Sequence, residues 1–445
     1  MWRRVEMPRS WTVTIMLLVL LGFVPLARAQ QPYHLTLKDA IQLGLKANLS
    51  VLVSGTRAEE AAGTRARRFS NLLPRSHIET SLALEKVNLA ALGISIPSVP
   101  PVVGPFSAYD FRVYVDQPAL DLQAYHGWKS SEEHQQAARN DYQDSRDLVI
   151  RAVASLYLIA ESAVALVDSA ESRVTTSQAL LKLANDQHDS GVATGLDVLR
   201  AKVQLADDQH ALLNARNTAK QALLVLARNI GLSLGTPLEL AESLSFRPVQ
   251  PPEITEAVNA AIADRSDYIS LLRQRDEQLE LQRASRARSL PRISLSGNYG
   301  GNGRTLGGIA GTGTLQGALS FTIFDRDRQG EQVEIDSRLE RLNHQLADLR
   351  LQIEEDVREA LLNLDSSSSE VKVAQEELAL AQEELDLARV RFQAGTASNI
   401  EVITAQDSVT RAQQNQVAAL TKHVDAKIAL ARALGGTEKN YDRYL

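Results

Sequence analysis

Matching residues recur along this chain at two fixed offsets in residue number, so it is built from two copies of one structural unit. The offset is 217 near the start of each unit, as from Ala40 to Ala257, and 204 further along, as from Gly191 to Gly395. One extra segment of about 13 residues in the first unit explains the difference. We place it in the Pro- and Gly-rich loop 91–107, whose counterpart is 300–314. The other defining pairs are Pro74 with Pro291, Asp121 with Asp325, Asp197 with Glu401, and Ala201 with Ala405.

This repeat predicts the domain organisation. The first unit covers 30–231 and the second covers 254–435, and a short tail, 436–445, follows. The segment 232–253 carries four prolines and is predicted to be the linker between the units.

The segment 1–29 is predicted to be a secretory signal peptide. Arg3, Arg4 and Arg9 precede an apolar stretch from Trp11 to Leu21, and the small-residue triplet Ala27-Arg28-Ala29 supplies a cleavage site. A membrane anchor is the alternative, but a spanning helix needs roughly 20 apolar residues. No second apolar stretch is long enough to span a membrane as a helix, so any membrane entry is predicted to use strands.

Composition excludes several kinds of partner. Without residues 1–29, which hold four Arg and one Glu, the 48 basic and 54 acidic side chains become 44 and 53, a net charge near −9 that disfavours nucleic acid. The chain has no Cys, and Met1, Met7 and Met16 all lie in the signal peptide. We therefore expect no disulfide, no thiolate or thioether metal site, and no cofactor.

Each unit contains one pair of predicted strands, at about 76–117 and about 292–324, in which apolar and polar residues alternate. Four strands cannot close a membrane barrel, because an open edge in lipid leaves backbone groups unpaired. The chain must therefore associate into 8, 12 or 16 strands. The apolar positions are Ile78, Thr80, Leu82, Leu84, Tyr109, Phe111, Val113, Val115, Ile293, Leu295, Tyr299, Leu319, Phe321 and Ile323.

Long helices make up most of the remainder. No Pro occurs from 122 to 190, which predicts a helix of about 65 residues and roughly 100 Å. Antiparallel coiled-coil hairpins are predicted to reverse at 191–195 and 395–398, with a kink or break at 366–369. Asp208 and Gln416 interrupt the apolar seams. The seam positions are Val198, Ala201, Leu205, Leu212, Ala215, Leu378, Ala381, Leu385, Ala388, Phe392, Val402, Ala405, Val409 and Ala412.

Taken together, these features resemble the TolC-like outer-membrane efflux protein family over nearly the whole mature chain. Each motif alone is weak, whereas their order, duplication and spacing are specific. The motifs are Leu35-Thr36-Leu37-Lys38-Asp39-Ala40, the strand ends Gln117-Pro118-Ala119-Leu120-Asp121 and Phe321-Thr322-Ile323-Phe324-Asp325, and the two hairpin tips 188–199 and 392–403.

The resemblance implies a mainly α-helical fold with membrane β-structure. Long coiled-coil hairpins and four transmembrane strands per chain would trimerise into a 12-stranded β-barrel and a periplasmic α-helical tunnel. The implied function is the outer-membrane channel of a tripartite efflux or type I secretion system in a Gram-negative-type bacterium. The implied partners are a periplasmic adaptor and an inner-membrane pump, either resistance-type or ATP-driven.

The resemblance also assigns residues at the hairpin tips. Asp197 and Glu401 would lie near the channel gate, although first-turn carboxylates also stabilise a helix N-terminus by about 0.3–1 kcal/mol. Ala397 and Thr404 occupy positions where some relatives carry charged gate residues, which disfavours a charge-latched closed state. The residues expected to dock the adaptor are Gly191, Gly195, Gly395 and Ser398.

Two other interpretations compete with this one. A soluble periplasmic coiled-coil adaptor or scaffold would share the signal peptide and the hairpins, but it needs a compact β-domain, whereas these strands lie in widely separated pairs with one apolar face. No Ser/His/Asp triad or paired-carboxylate arrangement can be argued from the sequence, so we do not expect an enzyme. The transported substrate is not encoded in these features.

Overall fold

The computed structural model describes residues 33–242 and 245–438, so the predicted signal peptide lies outside the described residues. The described chain is mainly helical with four long strands, and this predicted fold class is confirmed. In order, the elements are β1 (Tyr33–Leu35), α1 (Leu37–Ala47), α2 (Leu49–Ser70), β2 (Arg75–Asn88), β3 (Val102–Leu120), α3 (Leu122–Asp189), α4 (Gly195–Asn229), β4 (Leu238–Leu240), α5 (Ile254–Asp264), α6 (Ser266–Ala287), β5 (Arg292–Gly303), β6 (Ala310–Ser320), α7 (Asp327–Gln393) and α8 (Asn399–Ala433).

The elements of the second unit repeat those of the first at the offsets seen in the sequence. The first residues of α1 and α2 match those of α5 and α6 at the larger offset, and both ends of α4 match those of α8 at the smaller one. The connection between the strands is residues 89–101 in the first unit and only 304–309 in the second. The extra residues of the first unit therefore lengthen both this connection and the strands beside it.

The four long strands form one antiparallel sheet in the order β2, β3, β5, β6. Residues opposite each other share a face, and the register pairs Val113 with Tyr299 on one face and Tyr114 with Asn298 on the other. The sheet thus has one apolar and one polar face. Its edge strands, β2 and β6, have no further neighbour among the described residues.

Strand β6 ends earlier than predicted. Its last paired residue is Ser320, opposite Arg292, where β5 begins. Phe321 and Ile323, predicted to continue the strand, lie beyond it and are 62% and 90% exposed. A strand needs a partner for its backbone groups, and β5 offers none past Arg292.

Each long hairpin has an apolar seam. The seam predicted at the tip of the second hairpin is confirmed, since Ala381, Leu385 and Phe392 on α7 and Val402 and Ala405 on α8 belong to one buried cluster. Its small Ala side chains let the two helices approach closely. The sequence predicted a kink or break at 366–369. The structure has no break there, because α7 is a single helix from Asp327 to Gln393.

Each unit has an apolar core, and the two equivalent cores pack against the hairpins away from their tips. In the first unit Leu35, Ile41, Tyr157 and Leu226 pack together, and the Tyr157 hydroxyl donates to the Leu35 carbonyl oxygen at 3.1 Å. The second unit has an equivalent apolar core, which is buried between α5, α7 and α8.

One sequence expectation about membrane helices was wrong. Helix α3 contains an 18-residue window that is long and apolar enough to cross a membrane by composition. Half of that window is buried inside the chain. Residues of α3 such as Val153 and Tyr157 belong to the first core, so we attribute the apolar run to helix packing.

Candidate functional site

The first hairpin tip is a tight turn that joins α3 to α4 through residues 190–194. Gly191 adopts φ +75°, a left-handed conformation that favours glycine, and its N–H donates to the His188 carbonyl at 2.9 Å. The Val192 N–H donates to the Gln187 carbonyl at 2.8 Å. The backbone carbonyls at the end of α3 therefore accept hydrogen bonds within the turn. A Cβ added at Gly191 would lie in open space, with no atom within 4 Å.

A capping box starts α4. The Asp197 N–H donates to the Thr194 hydroxyl at 3.4 Å, and the Thr194 N–H donates to the Asp197 carboxylate at 3.0 Å. Hydrogen bonds from Thr194 lower the pKa of Asp197. The cap therefore contributes its full stability above the unfolded-state pKa of this carboxyl, and loses it as the pH falls through the folded-state value.

The second tip repeats this geometry with one change. Gly395 adopts φ +68° after α7, and Ser398 is the N-cap of α8, but the Ser398 side chain makes no cap hydrogen bond. Glu401 lies in the first turn of α8 and pairs instead with Arg391 of α7, with 3.1 Å between Arg391 Nη1 and Glu401 Oε2. The two gate candidates are thus held differently, Asp197 by its own cap and Glu401 by an ion pair across the turn.

The structure brings the two tips side by side. Asn399 is buried, and its amide Nδ2 donates to the backbone carbonyl of Asp197 at 3.2 Å. The Gln187 side chain donates to the Phe392 carbonyl at 3.3 Å. Sequence reasoning missed Asn399, because nothing in its local pattern marks a contact so distant along the chain. The Thr-x-x-Asp spacing of the capping box, in contrast, was visible in the sequence.

The predicted docking residues are accessible in this arrangement. Gly195 is the first residue of α4, and a Cβ added there would meet no atom within 4 Å, as at Gly191 and Gly395. Val192 and Leu196 beside it are 68% and 54% exposed. The tips therefore present small residues and exposed apolar side chains, a surface on which another helical protein could pack closely.

A buried ionic cluster lies further up the first hairpin. Asp208 on α4 is fully buried and accepts hydrogen bonds from Arg173 Nη2 at 2.5 Å and from the Ser177 hydroxyl, both on α3. Gln204 also donates to it at 3.2 Å. Arg173 reaches toward Asp407 of α8 as well, at 3.9 Å. The Asp that interrupts the predicted seam thus joins α3 to α4 and, through Arg173, faces the second hairpin.

In residues 33–242 and 245–438 no group of three or more His, Asp or Glu side chains is arranged to hold a metal ion. Two of the three His on α3 each face a different carboxylate of α6: His126 Nδ1 lies 2.8 Å from Glu280 and His134 Nδ1 lies 3.1 Å from Glu277. These pairs join the two units at the helix ends nearest the sheet.

Comparison with known proteins identifies relatives of this chain. A family model described as "Outer membrane efflux protein" matches residues 108–232 and 258–436. The "Probable efflux pump outer membrane protein TtgC" of Pseudomonas putida is 23% identical over 344 residues, which cover 74% of this chain and 68% of that protein. The "Alkaline protease secretion protein AprF" of Pseudomonas aeruginosa is 22% identical over 317 residues, covering 68% and 65%.

The fold has solved counterparts. The Campylobacter jejuni CmeC outer membrane channel superposes with a TM-score of 0.76, covering 92% of this chain and 89% of that chain at 17% identity. At this identity the likeness establishes a shared fold.

Proposed function

Because the chain belongs to the outer membrane efflux protein family, we propose that it is one subunit of an outer-membrane channel that carries substrates from an inner-membrane pump across the periplasm. The observation that carries this proposal is the sheet, whose apolar face suits lipid and whose polar face suits an aqueous lumen. The hairpins α3–α4 and α7–α8 would form the wall of the periplasmic tunnel. The protein acts by conduction, with no chemical step.

Oligomerisation follows from the two sheet edges that have no partner strand within residues 33–242 and 245–438. In lipid, each unpaired backbone group of β2 and β6 costs several kcal/mol, and pairing β6 of one chain with β2 of the next removes both edges. Three chains would give the 12-stranded barrel that the family resemblance implies. Exposed apolar side chains spaced seven residues apart on α7, namely Val373, Leu380 and Leu387, support contacts between chains along the tunnel.

The system served by the channel is either tripartite efflux or type I secretion. The name of TtgC refers to an efflux pump, and that of AprF refers to secretion of a protease. Both uses suit a wide polar duct, because selection then takes place at the pump. A neighbouring gene for a resistance-type pump would support efflux, whereas an ATP-driven exporter beside a secreted protein would support secretion.

The channel assignment is tested by expressing the precursor in a Gram-negative host, separating the two membranes, and measuring the mass of the detergent-extracted protein. We expect an outer-membrane oligomer of three mature chains. A soluble periplasmic monomer would contradict the proposal and support the scaffold hypothesis.

The docking role of Gly191, Gly195, Gly395 and Ser398 is part of this proposal, and Gly195 allows a direct test. Gly195→Arg adds a long charged side chain at an open position whose backbone is not left-handed, so the fold should be kept. We expect recovery of the purified adaptor from the same bacterium to fall by about tenfold or more, equivalent to about 1.4 kcal/mol. Gly63→Arg is the matched control, since Gly63 of α2 is equally open and lies far along the chain from the tips. Equal adaptor recovery with both variants would exclude Gly195 from docking.

For the gate, we propose that Asp197 and Glu401 of the three chains contribute negative charge near the tip constriction. Glu401→Gln removes this charge and the ion pair with Arg391, which leaves that Arg unneutralised. Single-channel recordings should then show a cation-over-anion permeability ratio lowered by roughly twofold or more. Glu59→Gln, an exposed change on α2, should leave it unaltered. Unchanged selectivity in the Glu401 variant would show that this carboxylate stabilises the turn and does not act at the gate.

A further inference from the structure

A cavity of about 750 Å³ lies where the sheet meets the ends of the long helices, and it is here called the junction cavity. On the sheet side it is lined by Asp116 of β3 and by Ser294 and Ser296 of β5. These residues belong to the polar face, since Asp116 and Ser296 pair two positions away from Tyr114. In the proposed channel this face borders the lumen, so the junction cavity opens into the passage where the tunnel joins the barrel. Small-molecule sites typically have volumes of roughly 300–1,000 Å³.

Three arginines line the junction cavity: Arg68 in the last turn of α2, Arg75 at the start of β2, and Arg292 at the start of β5. Arg75 lies opposite Asp116 and therefore on the polar face. Arg292 precedes Ser294 by two residues and shares its face. Arg75 and Arg292 are equivalent in the two units, because they are 217 residues apart and each directly follows the matched proline. The duplicated plan thus supplies one guanidinium from each unit.

The charges of these arginines are not cancelled by ion pairs. The Arg75 guanidinium donates to the side-chain oxygen of Asn71. The Arg292 guanidinium donates to the side-chain oxygen of Gln123. Within residues 33–242 and 245–438, neither these two arginines nor Arg68 forms an ion pair with a carboxylate. An amide oxygen holds a guanidinium in place without a formal charge, and the amide NH₂ group remains as a further donor.

Three carboxylates also line the junction cavity, but two of them have other partners. Asp121 caps α3 by accepting the Ala124 N–H at 2.9 Å. Glu331 accepts a hydrogen bond from Arg288 Nη1 at 2.9 Å. With Glu331 balanced by Arg288, the lining holds three arginines against Asp116 and Asp121 and keeps a positive excess. This excess is opposite in sign to the net charge of the chain, which is −6.

We propose that the junction cavity binds an organic anion with carboxylate or phosphate groups as it passes from the tunnel to the barrel. A planar guanidinium matches both groups, because it can donate two parallel hydrogen bonds to their oxygens. Three chains would bring six such guanidiniums, from Arg75 and Arg292, to the passage. Rings of arginine are a known means of favouring anions in pores. The inference rests on the channel proposed above and names a substrate class for it.

Binding is tested by titration calorimetry of the purified oligomer with citrate, an organic anion with several carboxylates. Low ionic strength is needed because salt screens exposed charges. Arg292→Gln and, separately, its equivalent Arg75→Gln should weaken citrate binding by about tenfold, equivalent to about 1.4 kcal/mol. Arg67→Gln is the matched control, since Arg67 is an exposed arginine of α2 that does not line the junction cavity. It removes the same charge and should leave the affinity unchanged.

Two results would overturn the inference: no citrate binding by the unsubstituted oligomer, or equal affinities in the Arg67, Arg75 and Arg292 variants. The channel proposal fails separately, if the unsubstituted protein is not an outer-membrane oligomer.

Ion selectivity supplies the second measurement. Replacing Arg75 and Arg292 together by Gln removes two positive charges per chain from the passage. The cation-over-anion permeability ratio in single-channel recordings should then rise by about twofold or more, opposite to the change expected for Glu401→Gln. An unchanged ratio in an intact oligomer would show that these guanidiniums do not face the passage and would contradict the inference.

Discussion

Replacing Leu82 by Arg is expected to abolish recovery of the oligomer from the outer membrane. Leu82 lies on the apolar face of β2 and is 66% exposed in the single chain. An Arg at the bilayer midplane of a membrane strand costs about 2–4 kcal/mol. A trimer bears this cost three times, so we expect the protein in the periplasmic or aggregated fraction, with no band at the trimer mass.

The neighbouring residue provides the control. Ser81 lies on the opposite face of β2, directly across from Asp110 of β3, so Ser81→Arg places the same side chain on the polar face beside a carboxylate. We expect this variant to assemble normally. If Leu82→Arg assembled as well as Ser81→Arg, the apolar face of the sheet would not be in contact with lipid.

Replacing Asp208 by Ala is expected to destabilise the first hairpin strongly. The change leaves the Arg173 guanidinium, 17% exposed, without its buried partner and leaves the Ser177 hydroxyl without its acceptor. Removing one partner of a buried ion pair costs roughly 3–5 kcal/mol. In detergent, circular dichroism should show an earlier thermal loss of helix, and proteolysis should cut first between residues 173 and 208.

Asp207→Ala is the matched control for this change. Asp207 is the adjacent residue on α4, and its side chain is exposed. Replacing an exposed carboxylate that makes no special contact typically changes the free energy of unfolding by no more than about 0.5 kcal/mol. If the Asp208→Ala variant unfolded at the same temperature as the Asp207→Ala variant, the contact between Asp208 and Arg173 would add no stability.

The buried Asp also explains why a coiled-coil seam can contain a charge. An interruption in an apolar seam is costly only when its polar atoms lack partners. Here α3 supplies Arg173 and Ser177 at the matching height, so the interruption fixes the register of α3 against α4. The interruption at Asp208 was visible in the sequence, but Arg173 and Ser177, its partners on the preceding helix, carry no local mark.

The serine run at 366–369 shows how tertiary contacts change a local expectation. Ser weakens helices because its hydroxyl competes for backbone groups. In α7 the Ser367 hydroxyl donates to the Leu364 carbonyl at 3.0 Å and lies 3.2 Å from His423 Nδ1 of α8, while Ser366 bonds to Glu370. Burial lowers the pKa of His423, which keeps a neutral ring beside Ser367. These two hydroxyls are thus satisfied without interrupting the helix.

The candidate site was predictable in position but not in detail. The tips follow from Gly191 and Gly395, because a left-handed residue ends a helix in a recognisable way. The different support of Asp197 and Glu401 was not predictable, because it depends on Thr194 in one tip and on Arg391, at the end of the preceding helix, in the other.

The order of residues along the chain is enough to predict the duplicated plan, the long hairpins with their tips, and the two-faced strands. Each of these follows from a backbone period of 2 or 3.6 residues or from a fixed offset, and such patterns are written locally along the chain. Three-dimensional packing, in contrast, sets where β6 stops, how Asp208 is neutralised, and how Asn399 joins the tips. Those outcomes depend on partners distant in sequence, because a buried polar group or a strand edge is stable only when another segment completes its hydrogen bonds.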